Sequence, residues 1–390
     1  MEKEGVMGEA NAKSNWFQKL IVPGIVFQSC VIAGGYGTGR ELVEYFMGYG
    51  PVKGTMAICL ITLVVWSLVA ALTYMFAVLY QKYNYKNIMQ ELLGPVSIAY
   101  EIAYIYLIVI IMAVVTSAAG EIVNTLFGWN NWIGIIGMAV AIFLLVISGS
   151  DLIEKVLSAW SFVLYGTYIV FLIMCFVNLH GMIGDAFAGP QPKDVGASWL
   201  QGGFMYAFYN MAVILGTVYT VKHNGKNYKS AGVAGIIAGF IGIIPGIILF
   251  IAMCAYYPQI SDETLPIAYM LNQMDVPWFQ YVFQIVLFGT LIETGSGLIY
   301  GITDRFETSY VEKGKEAPKN LTVILAIIFL VIGVVVAQFG LTGLIAKGYG
   351  AGAWLMFITY CIPMVTYGVY KIIKKKNELA LEGPTDEAEA

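Results

Sequence analysis

Ten stretches of this chain stay apolar over about twenty residues or more, and few folds are open to such a chain. A helix rises about 1.5 Å per residue, so about 20 apolar residues cross the ~30 Å hydrocarbon core of a bilayer. In lipid every backbone group must find its partner within the protein, which leaves helices as the spanning form for runs of this length. The stretches are roughly 19–48, 52–80, 97–127, 131–148, 152–180, 197–222, 229–257, 277–304, 320–338 and 343–371. Only 12% of the residues are charged, against about 25% in a soluble domain. The separators are short, at 83–94, 128–130, 149–151 and 223–228; two longer ones lie at 181–196 and 258–276. None of them accommodates a soluble domain. The expectation is an all-α integral membrane protein with one transmembrane domain at 17–375. It is flanked by a tail at 1–16 and an acidic tail at 376–390, which is expected to be disordered from about 377. Residues 1–16 carry both signs of charge and the following apolar run is long, so this is not the pattern of a cleaved leader.

Cation placement orients the bundle. With the N-terminus on the cytoplasmic side, the inner segments hold Lys3, Lys13, Lys19, Lys82, Lys86, Lys155, Lys222, Lys226, Lys229, Arg305, Lys313, Lys315, Lys319, Lys371, Lys374, Lys375 and Lys376. The outer loops hold Lys53, Lys193 and Lys347, and Arg40 lies within the first span. This asymmetry predicts a multi-pass protein of the cell membrane with both termini cytoplasmic and an even number of spans. Ten spans divide into two sets of five that begin on opposite sides, an inverted repeat covering about 19–180 and 197–371. Spans 3 and 8 each carry one deep glutamate, Glu121 and Glu293, which fits such a repeat.

Within the first span, residues 33–39 read Ala-Gly-Gly-Tyr-Gly-Thr-Gly. Each glycine lowers helix stability by about 0.8–1 kcal/mol relative to alanine. The span is therefore expected to be two half-helices meeting at an unwound point, the feature around which secondary transporters build their solute sites. The backbone N–H groups of an outer half-helix starting near Thr38 would face an anionic group, a solute carboxylate being the natural candidate. The counterpart in span 6, residues 202–210, is Gly-Gly-Phe-Met-Tyr-Ala-Phe-Tyr-Asn and has no central glycine, so a break there is the weaker expectation.

The first-span sequence Gly-Gly-Tyr-Gly-Thr-Gly-Arg-Glu-Leu-Val-Glu-Tyr-Phe (34–46) and the span-8 sequence Glu-Thr-Gly-Ser-Gly-Leu-Ile-Tyr-Gly-Ile-Thr-Asp-Arg (293–305) resemble the YkvI-like bacterial membrane proteins. The resemblance runs over about 16–375. That group is similar to the amino acid–polyamine–cation superfamily. The resemblance implies a LeuT-type fold, ten helices in a five-plus-five inverted repeat with helix 1, and helix 6 with it, broken.

The residues then sort by expected role. Gly34, Gly35, Tyr36, Gly37 and Thr38 of the break, with Tyr206, Tyr209 and Asn210 of span 6, form the expected solute site. Arg40 lies about 31 Å of helix beyond Lys19, toward the outer end, with Glu44 four residues on as a local ion-pair partner. The alternative for Arg40 is an outer gate with a carboxylate from another span. LeuT-type proteins imply such an acid on span 10; this chain has none there, and Glu121 is the substitute. Glu293 lies about 24 Å along span 8 from its outer start, level with the break, and no basic residue lies within seven positions of it. Thr290 and Thr294 share its face. With the backbone near Cys30 and Ala33 they resemble the sodium site of the LeuT-type fold, and oxygen ligands suit a hard cation. The coupling ion is sodium or a proton. Asp151, Glu154 and Lys155 open span 5 as an ordinary helix start, the tryptophans Trp129, Trp132, Trp199, Trp278 and Trp354 read as interface belts, and the five cysteines read as small apolar core residues.

Function follows from these features. The chain is expected to be no enzyme but an ion-coupled symporter of a small zwitterion, an amino acid or a derivative, working by alternating access. A transporter of a neutral nucleobase- or hydantoin-like solute is the alternative. An intramembrane protease is disfavoured because it would want HExxH or two intramembrane aspartates, and a channel-like protein is the remaining class. Neither His180 nor His223 has metal-ligand spacing, so no cofactor is expected beyond a possible Na+ or H+. The expected partners are the solute and the bilayer, with no nucleic acid and no obligate protein.

Overall fold

The computed structural model describes residues 16–381 apart from 33, 149, 193–195, 313 and 319. The expectations for the tail at 1–15, the tail beyond 381 and Ala33 lie outside the described residues, as do the side chains of Asp151, Glu154 and Lys155. The described chain is helical, with no strand among its residues.

Eight helices are long and apolar enough to cross a membrane, and Val22–Val31 and Asn131–Ile147 are shorter apolar helices. Together they cover all ten expected spans. The helices sort into two groups by packing. Span 7 (Tyr228–Met253) lies along span 2 (Leu63–Tyr80) and the first half of span 1 (Val22–Val31), and span 6 (Ser198–Thr217) joins them. Span 3 (Ser97–Phe127) packs against span 4 (Asn131–Ile147), span 8 (Pro277–Glu312) and span 9 (Leu321–Val336). Each group contains two helices of the first five and their counterparts five places later, the arrangement an inverted repeat produces. Span 5 (Ser150–Ala188) touches spans 7 and 8, and span 10, beginning at Leu341, touches spans 3 and 6.

Small residues set these contacts. A Cβ on Gly235 would lie 2.4 Å from the Ala71 backbone, and one on Gly239 would lie 2.6 Å from the Ser67 nitrogen. The Gly-x-x-x-Gly pair thus lets two helix backbones touch, which in lipid is a main source of helix association. Short connectors end in asparagine caps: Asn84, Asn130 and Asn227 accept from the N–H groups of Asn87, Trp132 and Ser230 at 2.8, 3.0 and 3.0 Å. Such caps satisfy helix-start donors that lipid would leave stranded.

Four differences from the sequence expectations stand out. The 83–94 separator contains an amphipathic helix, Tyr85–Leu93, burying Ile88, Met89 and Leu92. The 258–276 loop contains the helix Pro266–Gln273. Span 6 runs unbroken through 202–210 as Ser198–Thr217 and tightens to a 3-10 helix only at Val218–Asn224; without a glycine between 203 and 216 nothing interrupts its hydrogen bonds. The final helix continues to Leu381, past the point where disorder was expected. Its lysine-rich face holds Lys371, which donates to Glu91 (3.2 Å) on the amphipathic helix.

Candidate functional site

The first span is interrupted at both edges of its glycine cluster. The first half ends at Val31, and Ile32 leaves the helix with φ −72° and ψ 73°. Residues Gly34–Thr38 form a short helical turn, and a second interruption falls at Gly39, whose φ of +82° is left-handed and open to glycine at little cost. Helix resumes at Arg40–Phe46. The sequence placed one unwound stretch at 33–39; the structure has two joints around one turn. Thr38 holds that turn, its hydroxyl donating to the Gly35 carbonyl (2.9 Å) and accepting from the Arg40 N–H (3.2 Å). Tyr168 of span 5 donates to the Gly37 carbonyl (2.9 Å).

Glu41 occupies the space over this turn. A Cβ on Gly35 would lie 2.3 Å from Glu41 Oε1 and 2.7 Å from its Cγ, so the glycine is what lets the carboxylate in. Glu41 is 4% exposed and accepts a hydrogen bond from the Tyr209 hydroxyl. The Tyr209 ring stacks between Tyr349 (centroids 4.6 Å) and Tyr45 (5.8 Å), with Tyr206 edge-on at 5.6 Å. Trp66 stacks on Tyr206 in turn. This aromatic packing buries the break on the side toward Arg40. Asn210 is buried beside it and donates to the Tyr206 carbonyl of its own helix (3.0 Å).

On the other side of the break lies a cavity of about 350 Å³ between spans 1, 3, 5, 6 and 8. Cys30, Thr290, Glu293 and Thr294 line it, so the structure brings together these four residues of the expected ion site. Tyr104 and Tyr165 also face it. Cys30 is exposed to this space, which removes it from the core role expected of the cysteines. Cys175, Cys254 and Cys361 are buried as expected, and Cys59 is half-buried. Tyr36, Tyr206, Tyr209 and Asn210 are buried and are not part of the lining; Tyr206 and Tyr209 belong to the aromatic packing.

The expected gate pairing is corrected in one part. Arg40 is 7% exposed and pairs with Glu44 at 2.8 Å. Its other terminal nitrogen donates to the carbonyls of Ser261 (3.2 Å) and Glu263 (2.9 Å) in the loop after span 7. Glu121 does not meet it. That carboxylate accepts from Asn131 at 2.8 Å, where span 3 turns into span 4, so it closes a helix connection rather than a gate. Arg40 thus finds backbone acceptors where a second acid was expected.

Glu41 is the ionisable residue behind the break to which the sequence reading gave no role of its own. Its signal was available: Arg40 and Glu44 satisfy one another at i,i+4, which leaves a second acid in an apolar span without a local cation, six residues beyond a glycine.

No family model matches the sequence, and no curated protein matches it either. Solved structures do. MhsT in complex with L-phenylalanine aligns with a TM-score of 0.53 and 15% identity, covering 91% of this chain and 97% of that one. A mutant of the Eremococcus coleocola manganese transporter aligns with a TM-score of 0.48 and 12% identity, covering 96% and 91%. The likeness to MhsT, with the two helix groups and the interrupted first helix, shows the fold to be the LeuT-type inverted repeat.

Proposed function

We propose that this chain is an ion-coupled secondary active transporter of a small zwitterionic solute, an amino acid or amino acid derivative, working by alternating access in the cell membrane. The observation that carries the reading is the cavity beside the first-span interruption, with Glu293, Thr290, Thr294 and Cys30 on its wall. A solute there touches both helix groups, so moving one group past the other would expose it to either side in turn. Sodium or a proton is the coupled ion, drawn to the one carboxylate and the threonine oxygens, and symport is the sense of coupling expected from the sequence. Membership of the YkvI-like proteins and of the amino acid–polyamine–cation superfamily is part of the same reading, supported by the motifs at 34–46 and 293–305. The nucleobase alternative gains less support, because the Asn210 amide is buried and engaged within span 6.

The test is uptake into proteoliposomes of a panel of radiolabelled amino acids and amines, driven by an imposed sodium or proton gradient. Accumulation with one of the two gradients, abolished by the matching ionophore, is the expected result. If no member accumulates above the no-gradient level with either ion, the proposal fails.

A further inference from the structure

The helix Arg40–Phe46 carries one cation and two acids. Arg40 is matched by Glu44, and its other terminal nitrogen is taken by the loop carbonyls of Ser261 and Glu263. Glu41 is the acid left over. It is buried, and among the described residues no cation pairs with it. Lys53 and Lys347 are the other cations on the elements packed against this helix, and neither reaches it. Glu44 and the loop acids Asp262 and Glu263 add negative charge to the same side. Buried phenols surround the carboxylate instead: Tyr36 and Tyr45 of its own span, Tyr168 of span 5, Tyr206 and Tyr209 of span 6, and Tyr349 of span 10 all lie within electrostatic reach of it. Tyr209 donates to it. Tyr45 and Tyr168 donate to the carbonyls of Ile345 and Gly37, and the Tyr36 and Tyr206 hydroxyls have no partner.

An ionised carboxylate taken out of water is costly unless a cation or several N–H donors compensate it, whereas the neutral acid is tolerated. One phenol hydrogen bond is not such compensation. When the tyrosine layer parts, as alternating access requires, water reaches Glu41 and solvates the anion. The closed and open forms of the layer therefore differ in their hold on one proton.

Resting on the alternating-access reading above, we propose that Glu41 is a proton-binding site that controls the aromatic layer: the layer closes over the carboxylic acid and opens over the carboxylate. The proton comes from water on the Arg40 side and forms one O–H bond to a carboxylate oxygen, turning the anion into the neutral acid; no other bond changes. Gly35 leaves the acid room, and the Arg40–Glu44 pair stays intact. The site is separate from Glu293, which lines the cavity on the other side of the break where Glu41 does not. Closing takes up one proton, so acid favours the sealed form whichever ion the cavity takes. Linkage of one proton changes the ratio of opened to sealed molecules by up to about tenfold per pH unit.

Two measurements on the full chain in lipid nanodiscs test the proposal. In a Cys30→Ser, Cys59→Ser background, spin labels on Gln259→Cys, in the loop after span 7, and Thr342→Cys, at the start of span 10, report by electron double resonance whether the Arg40 side is open. Both positions are exposed. Infrared difference spectra between acid and alkaline samples of the unlabelled chain read the C=O stretch of a protonated carboxylic acid. The sealed distance is expected to dominate in acid, and the opened population to grow with pH at up to about tenfold per unit. Glu41→Gln, whose amide carbonyl still accepts from Tyr209, should hold the sealed distance at every pH and lose one acid band. Glu41→Asp, which keeps an acid, should keep the pH response. Populations that ignore pH in the labelled parent overturn the proposal, and that series needs no Glu41 variant to fold. A Glu41→Gln protein with the parent's slope, or with every acid band of the parent, overturns it too. A pH-driven switch in a chain that accumulates no solute under either gradient defeats the transporter reading and leaves this inference standing; accumulation by a chain whose sealed population ignores pH does the reverse.

Discussion

Glu41 depends on an atom that is missing. Its carboxylate lies where a side chain on Gly35 would be, and the Tyr209 hydroxyl donates to it from the opposite span. Gly35→Ala should therefore push the carboxylate off this hydrogen bond, at about 1–3 kcal/mol, the usual cost of crowding a packed core. In a Glu41→Ala background the same methyl enters vacated space, because the atoms it would strike are the glutamate's Cγ, Cδ and Oε1. The two substitutions are thus expected to be non-additive by about 1 kcal/mol or more, the mark of residues in contact. Unfolding of the two single variants and the double variant in detergent measures the coupling, and additive effects would show that the carboxylate is not held at Gly35. The sequence carried half of this arrangement. Glycines in an apolar span announce that backbone or side chain must come close. They do not say which neighbour comes, and the reading assigned the space to a solute carboxylate because the donors alone were visible. The occupant is set by a fold-back within span 1 and by a tyrosine 168 positions away, a separation at which local pattern is silent.

At the scale of elements, the second half of span 1 and the loop after span 7 are tied by one guanidinium. Arg40 binds the Ser261 and Glu263 carbonyls with one terminal nitrogen and Glu44 with the other. The same loop carries the helix Pro266–Gln273, and Pro266 and Ile267 press on Gly39. A lysine keeps the charge but has a single nitrogen and cannot hold carbonyls and carboxylate as a planar fork does. Arg40→Lys is therefore expected to loosen the loop, raising hydrogen exchange at residues 258–265 about tenfold or more, with smaller change in span 7. Glu44→Gln, which leaves both carbonyl contacts, should raise it less. Equal protection in Arg40→Lys and the parent protein would show that the loop is held by its apolar contacts alone. Most elements were legible before the structure, since runs of apolar length and the order of charges are local. The i,i+4 pair of Arg40 and Glu44 was legible for the same reason. The loop carbonyls that complete the latch were not, because backbone acceptors leave no trace in residue identity. Span 6 misled in the other direction: it was expected to break by symmetry with span 1, but without a central glycine it keeps its helical hydrogen bonds.

For the molecule as a whole, the break divides a sealed side from a hollow one. Tyr45, Tyr206, Tyr209 and Tyr349 close the side toward Arg40, while Cys30 faces the cavity on the side of the first half-helix. The cavity lies beside the first half-helix, Val22–Val31, so it belongs to the half of the bundle that bears the N-terminus. Thiol chemistry can report this directly. Cys175, Cys254 and Cys361 are buried, and Cys59 is half-buried on span 2, within the bilayer-spanning part. In a Cys59→Ser background, a charged, membrane-impermeant methanethiosulfonate should modify Cys30, and only when added on the face that carries the N-terminus. The cationic form of the reagent should react several-fold faster than the anionic form, because Glu293 shares the cavity wall and no described lining residue is basic. A solute bound in the cavity should slow the reaction in proportion to its occupancy. Modification from the opposite face at the same rate would mean that the aromatic layer is not a seal, and faster reaction with the anionic reagent would mean that the field in the cavity has the other sign. Inside-out and right-side-out vesicles from the same cells allow both comparisons, and the face that reacts also fixes the orientation of the bundle.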